Sequence, residues 1–529
     1  MKNAVTVFVW VCFALLVLSV VLMYALVIPS TVQTLHNASK APAQTSAAVT
    51  CAPSGLLAGG IGNGDTREAI AAAASASVLQ NDKVVVIPLC WTGSEYMINF
   101  TAGGTPVQAV FDTGSAQFIV ATSACASCTP SKTDVAPHTA YYQPTNAAVV
   151  QDPRLLPAQR PCTTTVSYVS QSNTVVVFAD DVAFGQIEVP YALLDTLALG
   201  GPSPLESMLA AGGYACAAPG SSLAGLLMRR PRPAPGQPSS SSNGTLTTKA
   251  APPLTISNFP VGGITNATGG SGSLNVFGMS SVMAATRVSV QGGTVEYLLP
   301  SCQVTTKPAY ESPLLQAVSA FYDRDPKSAG TCTWSLYVDG TQGFVVFAPL
   351  EGLRLPSLSP VTYTPLVPAL TKAASALAST PYRYYVVEVV SWTFSKNDYD
   401  APVNIDGAPR YLVMDTGTTI CMLPSARAVT TLQECGRRGY KSTLTLASIN
   451  SSRPNPVISF SAIRGNYTYV STDATAASVF GVMDSGTASA FSSDQDVGIF
   501  GGAAMQGLYL EFSVPATSER FMGFASFSQ

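Results

Sequence analysis

Two aspartates stand in matching settings. Val110-Phe111-Asp112-Thr113-Gly114-Ser115 and Val413-Met414-Asp415-Thr416-Gly417-Thr418 are each an apolar run leading into Asp-Thr-Gly and a hydroxyl residue, with the aspartates 303 positions apart. One Asp-Thr-Gly arises by chance about one time in ten in a chain this long at average composition. Two, in the same setting, read as an internal duplication that supplies one carboxylate from each half. Two carboxylates brought within hydrogen-bonding distance cannot both ionise, so they hold one proton between them and their pKa values split. The ionised member can take a proton from water, and the protonated member can donate to a carbonyl oxygen. That is general acid–base hydrolysis of an amide with no covalent intermediate. A glycine after Asp-Thr permits the tight turn that presents the carboxylate tip.

Elements suited to hold these loops lie around them. Tyr96-Met-Ile-Asn-Phe100 alternates as a strand does, and Gly104-Thr105-Pro106 reads as a turn into the strand ending at Asp112. Val166-Ser-Tyr168 and Thr174–Phe178 are β-rich runs around a polar turn, the pattern of a hairpin. Glycine (42) and proline (38), with abundant Ser, Thr and Val, favour many short strands and turns over helices.

The two motifs, the Gly-Thr-Pro opening and the runs Trp334–Tyr337, Phe344–Phe347, Tyr363–Leu366, Tyr384–Glu388, Leu508–Phe512 and Phe521–Phe524 resemble the pepsin-like aspartic proteases, in the flavour of their plant and nepenthesin-type branch. The resemblance covers most of Val84–Gln529. It implies an all-β, bilobal fold of two β-barrel-like lobes with a cleft between, the N-terminal lobe at 84–330 and the C-terminal lobe at 331–529. It implies an endopeptidase acting on polypeptides as a monomer, without metal or organic cofactor. Asp112 and Asp415 would share the proton and activate water, and the Ser115 and Thr418 hydroxyls would bond their outer oxygens. Thr113 and Thr416 would brace the loops against each other, Gly114 and Gly417 would permit the turns, and Tyr168 would close a flap over substrate.

The chain departs from the family pattern in places. Ile119 stands where the family commonly has a tryptophan supporting the flap tyrosine, and Val169–Asn173 lacks the flap's usual glycines. For the apolar-apolar-Gly element beneath the first aspartate, Ser222–Leu226 and Leu274–Gly278 compete, whereas Ile499-Phe500-Gly501 supplies the second. Asp180-Asp181 reads as solvated. Val482-Met483-Asp484-Ser485-Gly486-Thr487 mimics the second motif but lies too close to Ile499 to leave room for a lobe, and reads as a turn. The alternative to an enzyme is a catalytically silent binding or inhibitor-like glycoprotein on the same fold.

Other catalytic classes lack their residues. Serine or cysteine catalysis needs a histidine, and only His36 and His138 exist. There is no Gly-x-Ser-x-Gly elbow, phosphate loop or metal-binding helix. A glycosidase uses two carboxylates, but its chemistry does not call for a duplicated Asp-Thr-Gly. A net charge of −3 argues against a nucleic-acid partner.

Ala4–Ile28 is 25 residues without a charge. A signal peptide's apolar core runs about 7–15 residues and a membrane span about 20. Residues 1–29 are therefore expected to form a transmembrane signal anchor with the rest in the lumen or outside, the alternative being a cleaved signal and secretion. Residues 30–83 read as a stalk or a propeptide-like segment, and a Pro/Ser-rich insertion is expected at about 229–272. Sequons at Asn37, Asn99, Asn243, Asn266, Asn450 and Asn466 point to a glycoprotein. Apart from Cys12, ten cysteines remain, enough for five disulfides in an oxidising compartment. Cys125-x-x-Cys128 reads as a disulfide; as half a zinc site it has no second pair.

Overall fold

The computed structural model describes residues 79–80, 83–128, 141–144, 148–150, 161–167, 172–190, 194, 249–268, 275–280, 283–284, 286–289, 295–298, 304–305, 310–311, 332–339, 342–347, 355–367, 384–462, 466–470, 476–484, 496–514 and 520–527. Ala4–Ile28, most of the stalk, Tyr168, Ser222–Leu226 and the segment 229–244 lie outside them. Among the described residues no helix is long and apolar enough to cross a membrane.

Strands dominate. The longer ones are β1 (Lys83–Trp91), β2 (Tyr96–Ala102), β3 (Thr105–Asp112), β4 (Phe118–Ala121), β5 (Ser172–Pro190), β6 (Lys249–Thr268), β7 (Val276–Gly278), β8 (Cys332–Asp339), β9 (Gln342–Val346) and β10 (Thr362–Pro365). They continue with β11 (Val386–Ser395), β12 (Tyr411–Asp415), β13 (Cys421–Leu423), helix α1 (Ala426–Arg438), β14 (Lys441–Leu446), β15 (Val457–Phe460), β16 (Phe480–Val482), β17 (Val497–Gly501), β18 (Leu508–Val514) and β19 (Phe521–Ala525). One large sheet runs β10-β19-β18-β8-β9-β1-β2-β3-β7-β4-β6-β5, ending on the short strand Ala148–Val149. A second runs β15-β14-β11-β12-β17-β13-β16.

The two aspartate strands sit in the same local weave. β7 lies between β3 and β4, parallel to the first and antiparallel to the second, with Gly278 opposite Asp112 and Val276 opposite Ile119. β17 lies between β12 and β13 in the same senses, with Gly501 opposite Asp415 and Ile499 opposite Met422. The duplication read from the motifs is thus a duplication of strand pairing. It also decides between the two candidates beneath the first aspartate: Val276-Phe277-Gly278 takes that place.

Local sequence explains the entry to each loop. β2 and β3 join through Gly103 and Gly104 at φ +54° and +80°, with Ala102 opposite Thr105, the backbone of a two-residue hairpin. Lys249–Thr268, which the sequence places in the insertion, is a strand paired with β5 along most of its length. The strands β8, β9, β10, β18 and β19 come from the C-terminal part of the chain, yet they hydrogen-bond into the sheet of β1 through the β9–β1 pairing. α1 starts at the N-cap Ser425 and stops at Gly439, in the left-handed conformation at φ 72°. It buries Ala428, Val429, Leu432 and Cys435, a one-sided stripe at helical spacing.

A single aromatic-rich core underlies both loops. Phe100, Phe118, Phe184 and Phe277 pack together, Phe111 meets the edge of Trp334, and Trp334 stacks on Phe512 at 4.2 Å. Burying each such side chain contributes about 1.5–3 kcal/mol. This core fixes the residue before Asp112 from below.

Candidate active site

Asp112 ends β3 and Asp415 ends β12, and the two carboxyl groups are close enough to share a hydrogen bond. Their loops interlock through Thr113 and Thr416. The N–H of Thr113 donates to Thr416 Oγ1 at 3.0 Å, and the N–H of Thr416 donates to Thr113 Oγ1 at 2.9 Å. Each hydroxyl then donates across to the other half, Thr113 Oγ1 to Met414 O at 2.8 Å and Thr416 Oγ1 to Phe111 O at 2.5 Å. Both threonines are fully buried.

The glycines are placed by close approach. The N–H of Gly114 donates to Asp112 Oδ1 at 2.7 Å and that of Gly417 to Asp415 Oδ1 at 2.9 Å. A Cβ on Gly114 would stand 2.5 Å from the Asp415 carboxyl, and one on Gly417 would collide with the Asp112 carboxyl. Each glycine therefore makes room for the other half's aspartate. Beneath the loops, a Cβ on Gly278 would meet backbone atoms of Ser115 and Gln117 at 2.6 Å, and one on Gly501 would meet those of Thr418 and Ile420.

The pair is not symmetric. Asp112 is 8% exposed, whereas Asp415 is half-buried. Burial first, and the neighbouring Asp415 carboxylate second, hold the Asp112 carboxyl well above the usual aspartate range. Thr418 Oγ1 donates to Asp415 Oδ2 at 2.6 Å, as expected for the outer oxygen. Ser115, in the matching place, lies near enough to Asp112 to lower its pKa, but its buried Oγ has no hydrogen bond of good geometry among the described residues.

The surroundings answer the remaining expectations. Thr163–Ser167 pairs with β5 in the register Ser167 opposite Ser172, so the hairpin read from sequence is present, while Tyr168 itself is outside the described residues. Ile119 packs with Val166, one pair from the turn end of that hairpin, and with Val175, Ile264 and Val276. Asp484 is exposed beyond β16. Asp180 is not solvated: it is 8% exposed and accepts the Tyr142 hydroxyl at 2.7 Å, while Asp181 is exposed. Tyr142 alternates with no motif, so only its Tyr-x-Pro setting could have flagged the contact.

Cysteine pairing also differs from expectation. Cys125 and Cys128 form a disulfide, and Cys90 and Cys162 are disulfide-bonded. Cys421 and Cys435 are buried free thiols, so five disulfides cannot form. Both belong to the hydrophobic core, where a thiol serves as a small apolar side chain.

A residue that sequence reasoning missed is Asn173. It is fully buried at the start of β5, and neither side-chain amide atom has a partner among the described residues.

A scan of protein-family models finds none that matches this chain, and a search of curated proteins finds no match.

Proposed function

We propose that this chain is an aspartic endopeptidase of the bilobal, pepsin-like kind, hydrolysing polypeptides with a water activated between Asp112 and Asp415. The observation that carries this reading is the reciprocal lock of Thr113 and Thr416, which brings two buried-edge carboxyls from distant halves into contact. A fold that needed only stability would gain from separating them, because a buried like-charge pair is costly.

The asymmetry assigns roles. Asp112 holds the proton and donates it to the oxygen of the scissile carbonyl. Asp415, its Oδ2 bonded by Thr418 and its Oδ1 by the Gly417 N–H, takes a proton from the water as the water oxygen bonds to the carbonyl carbon. In the tetrahedral intermediate Asp415 returns its proton to the amide nitrogen, the C–N bond breaks, and Asp112 recovers a proton from the hydroxyl. Tyr168 is assigned the role of closing on substrate. No cofactor enters these steps. The N-terminal apolar segment tethers the enzyme to a membrane with the protease on the lumenal or outer side.

The silent binding protein is favoured by two features of the sequence, Ile119 where a supporting tryptophan would stand and the glycine-free run Val169–Asn173. The two readings part on one experiment. The purified full-length chain is incubated with a mixed peptide library over about pH 3–7, with and without a statine-type inhibitor. Inhibitor-sensitive cleavage supports the enzyme; folded protein that cleaves nothing contradicts it.

A further inference from the structure

Four of the six sequons fall on described residues, and their asparagines differ in what the fold leaves free. Asn450 is exposed in the turn after β14. Its Oδ1 accepts both the N–H and the hydroxyl of Ser452, the sequon's own third residue, at 3.0 and 2.9 Å, and its Nδ2 has no partner among the described residues. Asn266, near the end of β6, is exposed as well. Its Oδ1 accepts from Ser127 Oγ at 2.9 Å, in the loop closed by the Cys125–Cys128 disulfide, and its Nδ2 likewise has no described partner.

The other two are half-buried. Asn466 is half-buried, and its Nδ2, the atom that would carry a sugar, donates to Ser459 O at 3.1 Å. Its Oδ1 accepts the N–H of Ser461 at 2.9 Å, so the side chain clips two backbone positions together. A sugar there would replace one of the two Nδ2 hydrogens and would have to be seated against the half-buried backbone that this clip holds. Asn99 lies inside β2, between buried Ile98 and Phe100, with strands hydrogen-bonded on both sides. It is half-buried, and its Oδ1 is held by Gln108 Nε2 at 3.0 Å.

We infer that Asn266 and Asn450 are N-glycosylation sites of the folded protein and that Asn99 and Asn466 are not. The donor is an oligosaccharide carried on a lipid diphosphate. Asparagine Nδ2 forms the bond to the sugar C1, the C1–O bond to phosphate breaks, the lipid diphosphate leaves with the electron pair, and Nδ2 loses one proton. The inference rests on the lumenal placement proposed above, since that donor is met only there. It gives the weakly charged surface, with 11% charged residues in the chain, two hydrated attachments at known places.

The test is the full-length chain expressed in a glycosylating eukaryotic host, released with peptide N-glycosidase in heavy-oxygen water and mapped by peptide mass spectrometry. Heavy-oxygen aspartate is expected at positions 266 and 450, with unmodified asparagine at 99 and 466. N266Q and N450Q should each remove one glycan's worth of gel mobility shift. Label at 99 or 466, or its absence at 266 or 450, overturns the site assignment. If none of the six sequons is labelled, the lumenal placement falls with it. Inhibitor-sensitive cleavage measured on the same preparation keeps the protease reading separate from both outcomes.

Discussion

Thr113 and Thr416 exchange backbone-to-hydroxyl bonds in both directions, at 3.0 and 2.9 Å, and each hydroxyl also bonds the chain just before the opposite aspartate. The geometry of the aspartate pair therefore belongs to neither half alone. Removing one hydroxyl leaves a buried N–H and a buried carbonyl of the other half without partners. Thr113→Ala and Thr416→Ala should each lose about 2 kcal/mol of stability and most of the activity, while Thr113→Ser retains both. Urea unfolding beside peptide cleavage reads the two effects. An alanine variant with unchanged stability would mean that the lock is not formed.

Burial and the Asp415 carboxylate raise the Asp112 pKa in the folded state. Above the unfolded aspartate value of about 3.9, the folded chain then binds more protons than the unfolded one, so stability falls as pH rises towards the folded value. Below about 3.9 the two states are protonated alike and the effect vanishes. Asp112→Asn, which stays neutral throughout, should be more stable than the parent at pH 7 and should lose that advantage as pH drops. A difference that is constant with pH would contradict the proton's residence on Asp112.

Burial pushes the Cys421 thiol up to about 12 and the Cys435 thiol up to about 11. Both should resist alkylation at pH 8 in the native protein and react fully in denaturant without reductant, because the thiolate is the nucleophile. Peptide mapping distinguishes them from the other cysteines. Finding either in a disulfide would refute their placement as free core thiols.

Asn173 buries an amide with neither atom paired among the described residues, beside strand neighbours that alternate Asn173, Val175, Val177 on one buried face. Asn173→Val should raise stability by about 1 kcal/mol, seen as a higher urea midpoint at unchanged slope. A less stable variant would show that the amide is satisfied in solution.

What the sequence disclosed was whatever local pattern encodes. The Asp-Thr-Gly loops, the strands behind them and the hairpin around 168 are spelled out by short runs. The choice of Val276–Gly278 over Ser222–Leu226 was not, because both have the right residues and only the pairing with β3 and β4 separates them. The pairing of β9 with β1 joins segments some 250 positions apart, and no periodicity reports such a contact. Asp180 looked solvated because a charged pair usually is; its burial depends on Tyr142, 38 residues away. That Cys421 and Cys435 stay free thiols is not legible either, because an even number of cysteines says nothing about distance between them.

The most direct test compares peptide cleavage by the full-length chain with Asp112→Asn, Asp415→Asn and Asp484→Asn, each shown to be folded. The account predicts that the first two lose cleavage entirely and that Asp484→Asn, altered at an exposed site, cleaves as the parent does. Cleavage that survives in Asp112→Asn or Asp415→Asn, or that disappears in Asp484→Asn, would contradict it.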